Sequence, residues 1–459
     1  MDQKNARYDD ILQTIGGTPL VRLQRVGRDV RPALFAKVEF FNPGGSVKDR
    51  IGVHIIEQAE RAGLLKPGGT IVESTSGNTG VGLAMVAAVK GYRAIFTMPD
   101  KMSREKINLL KAYGAKVVVT PTSVPPDSPE SFYEVAKRIV RETPGAFHAN
   151  QYFNPDNPEI HYRTTGPEIW QQCGGKVDAF VAGMGTGGTI SGTGRFLKEK
   201  NPSVLVVGAD PEGSILREQF ETGRHSGAHT YLVEGIGEDM IPGTLDFSVL
   251  DRILTISDRD SFAVSRRLAR EEGMLCGGSA GTAVAAALQL AREMREDQTI
   301  VALIPDTGER YLSKLHNEEW LRDNGMLDPE LLRVADVVRA KKVGLPPVVS
   351  VRKGGTMRDA LALIQAHNVS QLPIVDDQGR VEGTLVEGTL LKKLLEGEAH
   401  LEDPVTRLAE APLPRIPSDA PVRDAARMLA DRLPALLVEE RGEIVGILTR
   451  FDLIEYIAR

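Results

Sequence analysis

Short apolar stretches alternate with longer helical patterns from the N-terminus to about residue 320, and no other feature limits the possible folds as much. Strands are predicted at Thr70–Glu73, Ala94–Met98, Lys116–Thr120, Ala179–Ala182, Leu205–Ala209 and Thr299–Ile304. Helices are predicted at Asn78–Lys90, Ser103–Tyr113, Ser131–Arg141, Gly188–Lys198, Arg259–Glu272 and Ala280–Arg295. Strands and helices in this order build an α/β domain with a parallel sheet covered on both faces. Such folds hold ligands beyond the carboxyl ends of their strands. Two glycine-rich runs, Thr75–Gly80 and Gly185–Thr189, fall where a strand passes into a helix.

The chain has 459 residues, enough for two or three domains. A net charge of -6 gives no general case for binding nucleic acid or an anionic membrane. Two cysteines, Cys173 and Cys276, make no disulfide framework and lack the spacing of a zinc site, so a reducing cytoplasm and no metal are expected. The N-terminal residues have no apolar segment behind them, so no signal peptide is expected. The most apolar stretch, Val81–Val89, is too short to span a membrane and reads as a buried helix.

Four runs carry the chemistry. The first is Asn42–Arg50, with Lys48 beside Ser46 and two glycines that permit close backbone approach. The second is Thr75–Gly80, the third Gly185–Thr189, and the fourth Cys276–Gly281. Together they offer an amine for an aldehyde, backbone amides for a phosphate, and hydroxyls and an amide for a ring and a substrate. That set suits pyridoxal phosphate (PLP). A buried lysine has a lowered pKa and becomes nucleophilic. Gly185, Thr186, Gly187, Gly188 and Thr189 would bind phosphate at a helix N-terminus, although a tight turn also needs glycines. Ser76, Asn78 and Ser279 equally suit helix N-caps. Cys276 reads as packing rather than as a nucleophile.

Beyond residue 342 the chain repeats itself. Thr356-Met357-Arg358-Asp359-Ala360 recurs as Pro421-Val422-Arg423-Asp424-Ala425, and Gly383-Thr384-Leu385 as Gly446-Ile447-Leu448. Each copy is too small to bury a core well alone, so the two are expected to pack together. Four segments are expected: 1–320 as the catalytic domain, 321–342 as a linker, and 343–398 and 399–459 as the two copies.

The four runs, in this order, resemble fold type II PLP enzymes, with a tryptophan synthase β-like core of parallel sheets flanked by helices. Within them the chain is most similar to the cystathionine β-synthase family, whose name is also given to the small tandem CBS domains. The resemblance implies a β-replacement that joins serine to homocysteine. Lys48 would hold the cofactor and act as acid and base, Asn78 would meet the ring hydroxyl and Ser279 the ring nitrogen. Thr75, Ser76, Thr79 and Gln151 would hold the substrate carboxylate, with Tyr152 and Gly237 also at the substrate. A hydroxyl at the ring nitrogen leaves it unprotonated, which suits β-elimination and β-replacement. Tyr152 and the loop Val233–Asp239 separate this family from the cysteine synthases, which typically carry Phe at the former position. Animal members have Tyr where this chain has Glu238. They also carry a haem-binding extension, and the pattern here begins almost at Met1, so no haem is expected.

The paired C-terminal copies resemble a Bateman module. Thr449 and Asp452 would grip the ribose of an adenosyl ligand, expected to be S-adenosylmethionine, with AMP or ATP as alternatives. The first copy lacks both groups at the matching places. Homodimers or larger homo-oligomers are implied. Two other readings stay open: a cysteine synthase using O-acetylserine and sulfide, and an adenosyl-ligand sensor with an inactive core.

Overall fold

Residues 7–100, 102–125, 127–326, 332–341, 348–430 and 433–457 are described by the computed structural model. The chain divides into two units, Met1–Met326 and Leu327–Arg459. The first has two sheets, as the resemblance implied, although the alternation of strands and helices by itself pointed only to a parallel sheet. The strands are β1 Leu20–Arg22, β2 Ala33–Val38, β3 Thr70–Ser74, β4 Arg93–Pro99, β5 Lys116–Thr120, β6 Ala146–His148, β7 Ala179–Gly183, β8 Leu205–Pro211, β9 Arg252–Ile256 and β10 Thr299–Ile304. One sheet runs β5-β4-β3-β6 and is parallel throughout. The other runs β1-β2-β10-β7-β8-β9, with only β1 antiparallel.

Burial explains why these strands carry no period-two signal. All five residues of β3 are buried, and so are the last five of β10. Strands covered on both faces read as continuous apolar runs. The strands β1, β2, β6 and β9 were not among those expected.

Helix α1, Lys48–Arg61, buries Ile51, Ile55 and Ile56 completely, each worth about 1.5–3 kcal/mol. It crosses helix α2, Asn78–Lys90, at two glycines. A Cβ on Gly52 would lie 2.7 Å from the Gly82 carbonyl carbon, and one on Gly82 would lie 2.8 Å from the Lys48 oxygen. This contact sets the start of α1, with Lys48, beside the start of α2, with Asn78. Helices α3, Gly188–Lys200, and α4, Gly278–Ala291, begin within the other two runs.

The second unit has two copies of one three-stranded arrangement. Strands β11 Val351–Arg352, β12 Gln371–Val375 and β13 Val381–Val386 make the first, and β14 Arg415–Pro417, β15 Ala435–Glu440 and β16 Glu443–Thr449 the second. In each, the first pair is parallel and the second antiparallel. Packing does not follow the expected boundaries. Helix α5, Val334–Arg339, from the expected linker, buries Val334 and Val337 in the second copy's core. Val405, expected in the second copy, is buried in the core of the first. The expected boundary at 342/343 lies outside the described residues. The catalytic unit itself continues through Glu318–Asp323 to Met326.

Candidate active site

All four runs carry helix starts, and residues of each meet at one cavity of about 800 Å³. Lys48, Ser76, Asn78, Thr79, Gln151, Tyr152, Gly185, Thr186, Gly187, Thr189, Gly237 and Ser279 all line it. Thr75 and Gly188 do not. The Thr75 hydroxyl is turned into its own loop, where it accepts from the amides of Gly77 at 3.0 Å and Gly80 at 3.3 Å. These bonds shape the turn.

Lys48 is enclosed by protein except toward the cavity. Burial lowers its pKa, and the negative charges of Asp306 and Glu238 oppose that shift. Among the described residues no carboxylate forms an ion pair with its Nζ, so the amine is not locked as a salt bridge. Asn78 is held at both ends of its amide. Its Nδ2 donates to Asp306 Oδ2 at 2.8 Å, and its Oδ1 accepts from Arg310. The second Nδ2 hydrogen remains for a ligand. Tyr311 also donates to Asp306 Oδ2, at 2.6 Å. The sequence reading missed Asp306, Arg310 and Tyr311, although Asp306 follows a strand end, where ligands gather.

Thr79 donates to Gln151 Oε1 at 2.6 Å, and Gln151 Nε2 donates to Ser74 O at 3.2 Å. Both side chains therefore brace the loop that Ser76 presents. Behind them lies Glu73, wholly buried, with a carboxyl pushed up to about 8 by desolvation.

The loop between β7 and α3 suits an anion. Gly187 has φ +79, which favours glycine, and the helix N-terminus supplies amides and a partial positive charge. Thr186 Oγ1 accepts from Asn157 Nδ2 at 3.0 Å and Gly188 N at 3.4 Å, which leaves its own O–H to donate. Thr189 Oγ1 meets His161 Nε2 at 3.2 Å. Ser279, 3% exposed, opens α4 behind the cap residue Gly277. Its hydroxyl has no hydrogen-bond partner among the described residues. These groups fit PLP: a free buried amine, an amide-rich turn for its phosphate, and a free hydroxyl.

Three tyrosines, Tyr133, Tyr152 and Tyr231, surround Glu238, and burial together with its charge raises all three pKa values. At the rim, Glu234 is paired with Lys106 and, at 2.5 Å, with Lys314. Neither lysine was singled out from sequence. Cys276 is fully buried and its thiol is pushed up to about 12, so it is packing. In the second unit, Asp452 Oδ2 accepts from the Thr449 amide and hydroxyl, both at 2.7 Å, and Asp452 N donates to Thr449 Oγ1. This is a capping box for helix α6, Arg450–Ile457. Lys341 Nζ lies 2.8 Å from the same carboxylate oxygen.

Residues 11–306 match the family described as pyridoxal-phosphate dependent enzyme, and residues 338–396 and 405–459 match the CBS domain. Cystathionine beta-synthase of Oryctolagus cuniculus is 43% identical over 98% of this chain and 85% of its own length. Cysteine synthase of Staphylococcus aureus is 49% identical, over 66% of this chain and 96% of its own length. A crystal structure of O-ureido-L-serine synthase is 43% identical with a TM-score of 0.62, covering 67% of this chain and 95% of that one. The chain requires pyridoxal phosphate and belongs to the pyridoxal-phosphate dependent enzymes, within them to the cystathionine β-synthase family with its two C-terminal CBS domains.

Proposed function

We propose that the chain condenses serine with homocysteine, giving cystathionine and water. The carrying observation is the single cavity at which Lys48, the Gly185–Thr189 turn and the Ser76–Thr79 loop meet, in a chain aligned to a cystathionine β-synthase over 98% of its length. Bound PLP would draw electrons from the Cα of an attached amino acid. Lys48 supplies the amine for the cofactor aldehyde, then takes the Cα proton at Nζ and returns it to the product. Burial favours its neutral form, as a base requires. Asn78 is aimed by Asp306 and Arg310 toward the ring hydroxyl. Ser279 offers a neutral hydroxyl to the ring nitrogen. Ser76 and the first amides of α2 receive the substrate carboxylate, held in place by Thr79 and Gln151. Tyr152 and Gly237 border the space left for the second amino acid.

Mass spectrometry of products tests this on the purified, PLP-loaded protein. Serine plus homocysteine should give mainly cystathionine. Cysteine formed only from O-acetylserine plus sulfide would assign the cysteine synthase activity instead.

For the second unit we propose an adenosyl ligand at Thr449 and Asp452, with S-adenosylmethionine the first to test. Lys341 Nζ, 2.8 Å from Asp452 Oδ2, competes with ribose hydroxyls for that carboxylate. The Lys341→Ala variant should therefore bind S-adenosylmethionine about twofold to fivefold more tightly by calorimetry, given the modest worth of a partly exposed ion pair. Unchanged or weaker binding would remove Asp452 from the ligand site. We further propose a homo-oligomeric, cytoplasmic enzyme, to be checked by sedimentation and cell fractionation. Among the described residues no helix is long and apolar enough to cross a membrane.

A further inference from the structure

The wholly buried His161 lies between two hydroxyls. Its Nδ1 is 2.9 Å from Thr165 Oγ1 and its Nε2 is 3.2 Å from Thr189 Oγ1. Thr165 is also wholly buried, whereas Thr189 borders the cavity. The segment His161–Thr165 is a single π-helical turn, a form that recurs at functional sites. It follows the short helix Asp156–Ile160, on which α3 rests backbone to backbone: a Cβ on Gly192 would lie 1.9 Å from the Pro158 oxygen. The imidazole is thereby fixed against the first turn of α3.

We propose that His161 is a positioning residue that turns the Thr189 hydroxyl outward as a hydrogen-bond donor to the cofactor phosphate. The inference rests on the phosphate reading of Gly185–Thr189. Each hydroxyl beside the imidazole can donate or accept, so geometry alone leaves two directions for the chain of hydrogen bonds. An anion in the loop selects one of them. Thr189 must give its proton to the anion, so its oxygen accepts from Nε2–H. A neutral imidazole has one donor and one acceptor, so Nδ1 accepts from the Thr165 hydroxyl. Thr165, with its side chain buried and bonded only to His161 among the described residues, is free to donate in that direction. Burial, and after it the nearby positive charge of Arg50, keep the ring neutral. The ordered chain is Thr165 O–H to Nδ1, Nε2–H to Thr189 Oγ1, and Thr189 O–H to phosphate. Chains of this kind polarise each successive donor.

A pair of substitutions separates this role from packing. In His161→Gln the amide nitrogen reaches the Nε2 position, whereas in His161→Asn it stops near Nδ1. Full-length protein freed of cofactor is titrated with pyridoxine 5′-phosphate, which has the phosphate but no aldehyde, and with pyridoxal, which has the aldehyde but no phosphate. His161→Asn should weaken pyridoxine 5′-phosphate about five- to tenfold, the scale of one ordinary hydrogen bond, since Thr189 keeps its hydroxyl and loses only its orientation, and leave pyridoxal unchanged. His161→Gln should bind both much as the original protein does. In a Thr189→Val background, His161→Asn should cause no further loss. Equal weakening of both ligands, no weakening of either, equal behaviour of Gln and Asn, failure of both variants to fold, or full additivity with Thr189→Val would each overturn the proposal. If the original protein does not bind pyridoxine 5′-phosphate, the phosphate reading itself falls.

Discussion

Lys48→Ala should lose turnover by a factor of at least ~10⁴ while remaining folded. Proton transfer by a positioned group typically contributes ~10²–10⁴, and Lys48 is also the proposed attachment point of the cofactor, so both losses fall on one substitution. Stability should change little, for a reason that lies in its charge. Burial lowers the Lys48 pKa, so its protonated form is less favoured in the folded chain than in the unfolded one. A lysine with a depressed folded pKa costs stability as pH falls below its unfolded value. Alanine removes that cost and leaves α1 with a better helix former. The melting temperature of the cofactor-free variant should therefore equal or exceed that of the original protein freed of cofactor, with the advantage not shrinking as pH is lowered from 9 to 6. Turnover near the original rate would reject Lys48 as acid, base and attachment point. A melting temperature lower by ten degrees would show that the side chain is structural.

The local patterns were legible because their causes are local. Asn78–Lys90, Lys116–Thr120 and Thr299–Ile304 appear with the expected bounds, since glycine, cap residues and apolar runs act within a few positions. The glycine runs marked the cavity for the same reason. What the sequence could not display were partnerships across large separations. Asn78 depends on Arg310, 232 positions away, and on Asp306, 228 away. The division into two sheets came from the resemblance and not from the strand pattern, because strands buried on both faces do not announce which neighbours they pair with. The packing of Val334 on the second CBS copy and Val405 on the first follows from β-bridges, Arg333 with Pro421 and Thr356 with Pro404, that no periodicity encodes. Thr449 and Asp452 show the opposite limit: the capping box is a sufficient reason for both residues at that spacing, so the motif alone does not demand a ligand.

The network least visible in sequence should have the largest effect on stability. Arg50, two residues after Lys48, grips Glu39 through Nε at 2.7 Å and through a second nitrogen at 2.9 Å, and reaches both oxygens of Glu168 at 2.7 Å. Glu39 is wholly buried and also accepts from Thr18 at 2.6 Å. Lys37, equally buried, donates to Glu168 and to Thr18 O, each at 2.7 Å. Burial pushes the Glu39 carboxyl up, but Arg50 and Lys37 outweigh it and hold it at about 2. Removing one partner of such a pair strands a buried charge, which costs about 3–5 kcal/mol. Arg50→Met should therefore lower stability by about that amount at pH 7. The pH dependence identifies the cause. In the original protein the depressed Glu39 pKa gives a contribution that is present above about 4.5 and lost only as pH falls through about 2. In Arg50→Met the desolvation cost is no longer outweighed, so the carboxyl takes up a proton more readily when folded than when unfolded. Its contribution then declines as pH rises. The stability gap between the two proteins should widen from pH 5 to pH 7 in denaturant melts. Adding Glu39→Gln to Arg50→Met should recover part of the loss, because an amide is cheaper to bury than a lone carboxylate. A gap that stays constant across that range, or a double variant no better than the single one, would show that Arg50 acts through packing of its stem rather than through its charge.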